Sequence, residues 1–397
     1  MKKILLITSR LPYPPIGGDK LKNYNLIKIL SKYYEVYLVT ITDEKLDNKT
    51  REILEKYTVS YKIFERSKYK FLFNLSKSVF NKKPLQVNYY YFKDVERYIK
   101  KLIKKEKIDL GISTLVRTTE YLSDLKLPKI FDMADSIGQN YKKSIKKVKS
   151  PLWKLVYSIE ADRLLNYEKK MIEKFDITFM FNKEEIKFFN NERIKYLPHG
   201  VNEKLLGYKK INDKYKNYIA FFGKMDYQPN IDAVLWFVEN VLNKLDKNIK
   251  FIIVGAKPTQ KILDLAKKYK NVEVTGFVED PYEILKSSLC IVSPMQTGGG
   301  IQNKILESMA LGTINIVSSL AAKPIGAENR KDYIVLDNPY EIAQKINQIY
   351  LNPNKYKYYK QNSRKFIKNN FTWTVFEKVY IKEIEGLLHD NKNQSTT

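Results

Sequence analysis

The chain has 397 residues, 44% of them hydrophobic and 13% aromatic, with one cysteine and a formal charge of +27. That length predicts two domains of about 200 residues each, and the apolar content excludes a chain that is disordered over most of its length. A lone cysteine, Cys290, excludes a disulfide framework; its apolar surroundings at 289–292 mark it as a core residue of a protein kept in a reducing compartment.

Residues 1–7 combine a basic start with a short apolar run, then Thr8, Ser9, Arg10 and a proline-rich loop. A secretory signal needs a longer apolar core and a small-residue cleavage site, so the run reads as a first buried strand. No segment reaches the roughly 18–20 uninterrupted apolar residues of a spanning helix. A cytoplasmic protein is expected. Further buried strands are predicted at 36–41, 110–115, 130–133 and 177–181, with amphipathic helices at 22–32, 95–105 and 160–173. The pattern then restarts: strands at 218–223, 251–255, 272–275, 290–293, 314–318 and 333–336, and helices at 232–245, 260–269, 282–287, 301–311 and 340–351. Each half is a βαβ series. The fold class expected is therefore α/β, two Rossmann-like doubly wound domains facing a cleft, with ligands beyond the carboxyl ends of the strands. The polar stretch after 197–202 serves as the linker. Predicted bounds are 1–200 and 201–375, with 376–397 a helix returning to the first domain and ending in a polar tail.

The strongest motif spans 293–310, where a strand ends, Gly298, Gly299 and Gly300 follow, and a helix begins. Glycines allow close backbone approach, and a helix start offers unpaired N–H groups to an anion. Lys304, in the predicted first turns, opposes the helix dipole unless an anion is bound there. Glu307 lies one turn on, where it could accept from ribose hydroxyls. A tight turn with exposed polar residues is the alternative. Gly17 and Gly18 make a second glycine turn into a helix after the first strand. Gly223 and Lys224 end the first strand of the second half, where the lysine could neutralise a departing phosphate or simply be solvated. At 131–136 two acids end a strand; Asp135 suits substrate hydroxyls, and Asp132, among apolar neighbours, could equally be a buried structural acid. The two histidines and one cysteine show no zinc-ligand spacing, so no metal site is expected.

The charge has two readings: a general lysine enrichment that is merely solvated, and local functional patches. Residues 66–93 and 136–159 contain no acid, and both interleave lysines with aromatics, including Phe71, Phe73, Phe80 and Trp153 beside Lys77, Lys83, Lys142, Lys143, Lys146, Lys147 and Lys149. Such stretches suit an anionic inner membrane surface as well as they suit a solvated helix face. Nucleic acid is not expected, because zinc-finger spacing, RNP-type aromatics and an arginine-rich arm are all missing.

With PYPPIGGDKLKNYN, FDMADS, FFGKMDYQPN, FIIVGAKP and SPMQTGGGIQNKILESMALGT in place, the chain resembles the retaining glycosyltransferase family 4, of the GT-B fold, and within it the sugar transferases of bacterial exopolysaccharide systems. The resemblance implies a nucleotide-diphosphate sugar as donor substrate, no other cofactor, and a glycan or lipid-linked acceptor. It places Gly17 and Gly18 near the diphosphate and Lys224 on the phosphates. Phe277 and Val278 fall where the backbone holds the nucleobase, and the amides of Gly299, Gly300, Ile301 and Gln302 on the diphosphate. Glu307 matches the second of a glutamate pair whose first member falls at Gly299. The second basic residue expected after Lys224 is replaced near Asn230, and the histidine of many relatives near the acceptor has no match, Asp135 standing at a comparable strand end. The expected reaction is a metal-free, same-face substitution served by Lys224 and Lys304. A nucleotide-sugar epimerase and a non-catalytic nucleotide-sugar-binding protein are the rival readings.

Overall fold

Apolar runs separated by amphipathic stretches fold here into two parallel sheets with helices around them. The computed structural model describes residues 1–145, 151–298 and 300–394. The chain divides into two compact units, 1–197 with 377–397, and 198–376.

The first unit is built on β1 (Lys3–Thr8), β2 (Glu35–Thr42), β3 (Ser60–Glu65), β4 (Leu110–Thr114), β5 (Lys129–Ala134), β6 (Ile177–Met180) and β7 (Ile194–Tyr196), in the order β3-β2-β1-β4-β5-β6-β7. Every pairing is parallel, with Ile4 opposite Val36 on one side and Leu110 on the other. Ile4, Leu5, Leu6 and Ile7 are fully buried, as a central strand covered on both faces requires. The second unit is built on β8 (Tyr218–Phe222), β9 (Lys250–Val254), β10 (Val272–Gly276), β11 (Cys290–Ser293), β12 (Asn315–Val317) and β13 (Ile334–Val335), again all parallel, in the order β10-β9-β8-β11-β12-β13. In each sheet the chain begins at the centre, builds to one side, and then crosses to the other. The strand order reverses between β1 and β4 and between β8 and β11, where loops diverge and leave a crevice at the carboxyl ends.

Eleven of these strands match the predicted ones. The two missed, β3 and β7, are edge strands: β3 is only half-buried along its length and β7 has three residues, so neither carries a continuous apolar run. Three helix boundaries also differ by four residues or more, the helix predicted at 22–32 running Gly18–Leu30. The helix predicted from 160 starts at Pro151, because the apolar residues of its first turns face outward. The helix predicted at 232–245 is Gln228–Asn240, started by a proline in its first turn, which brings Asn230 inside it. Cys290 is fully buried, and burial pushes its thiol up to about 12. Within the first unit, Tyr380 is fully buried with its ring 4.5 Å from Phe179 and its hydroxyl donating to Asp132 at 3.4 Å. Among the described residues no helix is long and apolar enough to cross a membrane.

Candidate functional site

In the second unit the crevice lies between the exits of β8 and β11. Gly223 leaves β8 and Gly255 leaves β9 in close contact: a Cβ on Gly255 would stand 1.7 Å from the Gly223 carbonyl oxygen. The Gly223 amide donates to Val254 O (3.0 Å) and the Met225 amide to Ala256 O (2.9 Å), fixing the loop between them. Lys224, carried on that loop, is 54% exposed in its side chain and pairs with Asp226 at 3.1 Å. An exposed pair of this kind contributes about 0–1 kcal/mol, so an anion can compete for the ammonium.

Across the crevice, β11 ends in a turn where Gly298 (φ 102°) and Gly300 (φ 76°) occupy the left-handed region that side chains disfavour. Ile301 packs on the core and Gln302 precedes the helix Asn303–Leu311 without capping it through its side chain, so the Gln302 side chain does not compete for the first amides. Gly299, the fourth backbone contact expected here, lies outside the described residues. Lys304 sits in the first turn. Its Nζ donates to Asn230 Oδ1 and lies 4.8 Å from the centre of the Phe221 ring. Enclosure away from water lowers its pKa to about 7. Among the described residues no carboxylate pairs with it.

Glu307, one turn on from Lys304, has a different partner. Tyr282, on the helix Pro281–Ser287, donates to Glu307 Oε2 at 3.4 Å, and burial pushes that carboxyl up to about 7. After β10, Gly276 (φ 69°) turns the chain so that Phe277 stands 79% exposed while Val278 packs against the core. The structure thus gathers Gly223, Lys224, Gly300, Ile301, Gln302, Lys304 and Glu307 at the β8 and β11 exits, and leaves Phe277 and Val278 two strands away. Asn230 and Tyr282 were missed. An asparagine at the start of a helix carries no periodic signal, and a tyrosine among thirty in the chain does not stand out.

In the first unit, Gly17 (φ 102°) accepts from the Leu21 amide at 2.9 Å as the helix Gly18–Leu30 begins; a Cβ at Gly18 would meet nothing within 4 Å. One turn on, Lys22 is 2% exposed and its Nζ lies 2.7 Å from Asp132, itself fully buried. Asp132 is therefore the structural acid of the pair. Asp135 follows Ala134, held at φ 65°, and one of its carboxyl oxygens is buried with no hydrogen-bond partner. Burial raises its pKa, against the pull of Lys22 and Lys143. Two buried acids stand beside it. Glu185 accepts from the Ser136 amide (2.7 Å), and Glu168 from the Ser136 hydroxyl (2.6 Å) and the Gly138 amide (3.1 Å). Burial pushes both up to about 7.

The basic aromatic stretches are only partly surface. Phe71 is buried and stacks on Tyr89 at 4.6 Å, correcting its assignment to an exposed patch: α-helical spacing points it inward among Tyr90 and Phe92. Tyr69, Leu72, Phe73, Leu152, Trp153 and Leu155 are exposed. Lys83 pairs with Glu120, Lys142 with Asp162 and Lys143 with Glu185, so part of this charge is matched by acids from outside the two stretches. The side chain of Phe80 and residues Lys146, Lys147 and Lys149 lie outside what is described.

Residues 216–352 match the family model of the glycosyl transferases group 1. The chain is 29% identical over 190 residues to an uncharacterized glycosyltransferase of Methanocaldococcus jannaschii; that alignment covers 46% of this chain and 48% of the relative, so it spans about half of each. It is 20% identical over 404 residues to an uncharacterized 44.6 kDa protein in the cps region of Klebsiella pneumoniae, covering 96% of this chain and 99% of that protein. Anabaena Alr3699/HepE in complex with UDP shares its fold, with a TM-score of 0.66 at 13% identity over 97% of this chain and 100% of HepE; the same protein is known in complex with UDP-glucose.

Proposed function

We propose that this chain, which has the GT-B fold and whose residues 216–352 match the group 1 glycosyl transferases, moves a sugar from a nucleoside diphosphate to a glycan or lipid-linked hydroxyl with retention at the anomeric carbon. The observation that carries the reading is the pair of lysines, Lys224 and Lys304, flanking the glycine turn at the β8–β11 reversal. The binding of UDP and UDP-glucose by HepE supports a nucleoside diphosphate as the ligand. The Klebsiella relative in a cps region supports surface polysaccharide as the product.

In this reading the diphosphate lies on the amides of Gly299, Gly300, Ile301 and Gln302, with the nucleobase near Phe277 and Val278 and the ribose near Glu307. The bond from the anomeric carbon to the phosphate oxygen breaks, and the electron pair stays on the diphosphate, where the two lysines stabilise it. The acceptor oxygen bonds to the same face and passes its proton to the departing phosphate, so no side-chain base and no divalent ion is needed. Asp135 orients the acceptor hydroxyl. The exposed Tyr69, Phe73, Trp153 and Leu155 among lysines bring the enzyme to the anionic inner face of the cytoplasmic membrane.

Acceptor-free hydrolysis of UDP-, GDP- and ADP-glucose, followed by proton NMR at early times with and without EDTA, tests this. One donor should release α-glucose first, at a rate EDTA leaves unchanged. β-Glucose appearing first refutes retention, and loss of turnover in EDTA refutes the metal-free step. Binding of a donor without cleavage favours the non-catalytic rival, and failure to bind any of them refutes the donor site.

A further inference from the structure

Asn230 uses both ends of its amide on the two lysines. Its Nδ2 donates to the backbone carbonyl of Lys224 at 2.9 Å, and its Oδ1 accepts from the ammonium of Lys304. The residue is only 5% exposed, and its own amide is tied to Tyr227 O at 2.9 Å. It also lies against the β8 exit, since a Cβ on Gly223 would stand 2.6 Å from Nδ2. With Nδ2 committed to a carbonyl, only Oδ1 can face the ammonium. The Lys304 ammonium is thus held by a neutral oxygen and the Phe221 ring, in a place where burying an uncompensated charge is costly. A lysine whose purpose was structural would be expected to end on a carboxylate, as Lys22 does on Asp132.

We infer that Asn230 is a positioning residue that sets Lys304 as the second cation of the donor diphosphate site, coupling it rigidly to the loop that carries Lys224. This rests on the donor site proposed above. Position 230 itself carries no charge, so the second cation reaches the site from the first turn of the Asn303–Leu311 helix instead. The arrangement has a chemical consequence. Burial lowers the Lys304 pKa to about 7, so at pH 8 the amine is mostly neutral before the anion arrives and takes up a proton when it binds. Affinity for the diphosphate should then fall as pH rises above 7.

Calorimetric titration of UDP, GDP and ADP into the full chain, in buffers of different ionisation enthalpy at pH 8, reads affinity and proton uptake together. The tightest nucleotide is carried forward beside its nucleoside. Lys304→Ala and Asn230→Ala should each weaken the nucleoside diphosphate about tenfold or more and leave the nucleoside almost unchanged, as loss of a charge-assisted contact to phosphate requires. Proton uptake should vanish in Lys304→Ala. Asn230→Asp, nearly the same shape, should pair with Lys304, hold it charged, weaken the diphosphate and abolish proton uptake. The exchange Asn230→Lys with Lys304→Asn should regain part of the affinity. Equal weakening of nucleoside and diphosphate, or an Asn230→Asp variant that binds like the wild type, overturns the inference while the donor site stands. A wild type that binds none of the three nucleotides overturns the proposed function, and the inference with it.

Discussion

At the carboxyl end of β8 one lysine stands in solvent and another ends on a neutral amide oxygen; at the carboxyl end of β5 the lysine in reach, Lys22, is buried on Asp132 at 2.7 Å. The sheets share a topology, and their exits carry opposite chemistry. The second offers cations without strong partners beside open helix amides, which suits an anion. The first collects Asp135, Glu168 and Glu185 as acids raised by burial, which suits neutral hydroxyls far better than phosphate. What separates a structural charge from a functional one in this chain is its partner, and the residue type alone does not tell them apart.

Exchanging the roles of the lysines breaks the comparison most severely. Lys22→Ala should destabilise the first unit by about 3–5 kcal/mol, because Asp132 is left buried and unpaired. Lys224→Ala should leave the melting temperature unchanged, since its ion pair is exposed, and lower donor turnover by about a hundredfold. Thermal unfolding and donor hydrolysis on both variants check this; a stable Lys22→Ala or an inert Lys224→Ala would erase the distinction.

A smaller effect sharpens it through pH. Glu168 and Glu185 titrate near 7 in the folded chain and near the ordinary 4.3 when unfolded. A carboxyl raised on folding contributes stability that is fully present below its unfolded pKa and is lost as pH rises through its folded one. The melting temperature of the first unit should therefore fall between pH 5 and pH 8, and Glu185→Gln should flatten that fall, both read by calorimetric scans.

Most of the architecture was legible in the chain order of apolar runs, because central parallel strands are buried on both faces and leave an uninterrupted signal. Edge strands β3 and β7 left none. The glycine turn with Lys304 was legible because a cation in a first helical turn is unfavourable by itself. Its partner was not, since Asn230 is 74 residues away and meets it only when β8 pairs with β11 and brings together the helices that follow them. Phe71 shows the opposite failure: a stretch without acids reads as surface, yet packing on Tyr89 decides the outcome for that ring. Asp132 and Asp135, three apart, could be told apart only by seeing which one Lys22 reaches.

The measurement closest to the central claim is hydrogen–deuterium exchange with saturating UDP, GDP or ADP. One of these nucleotides should slow exchange at 223–230, 276–278 and 300–307 and leave the Lys22–Asp132 region of the helix at 18–30 unchanged. Slowing confined to 1–197, or none in the second unit with any of the three, would contradict the assignment of the β8–β11 crevice as the donor site.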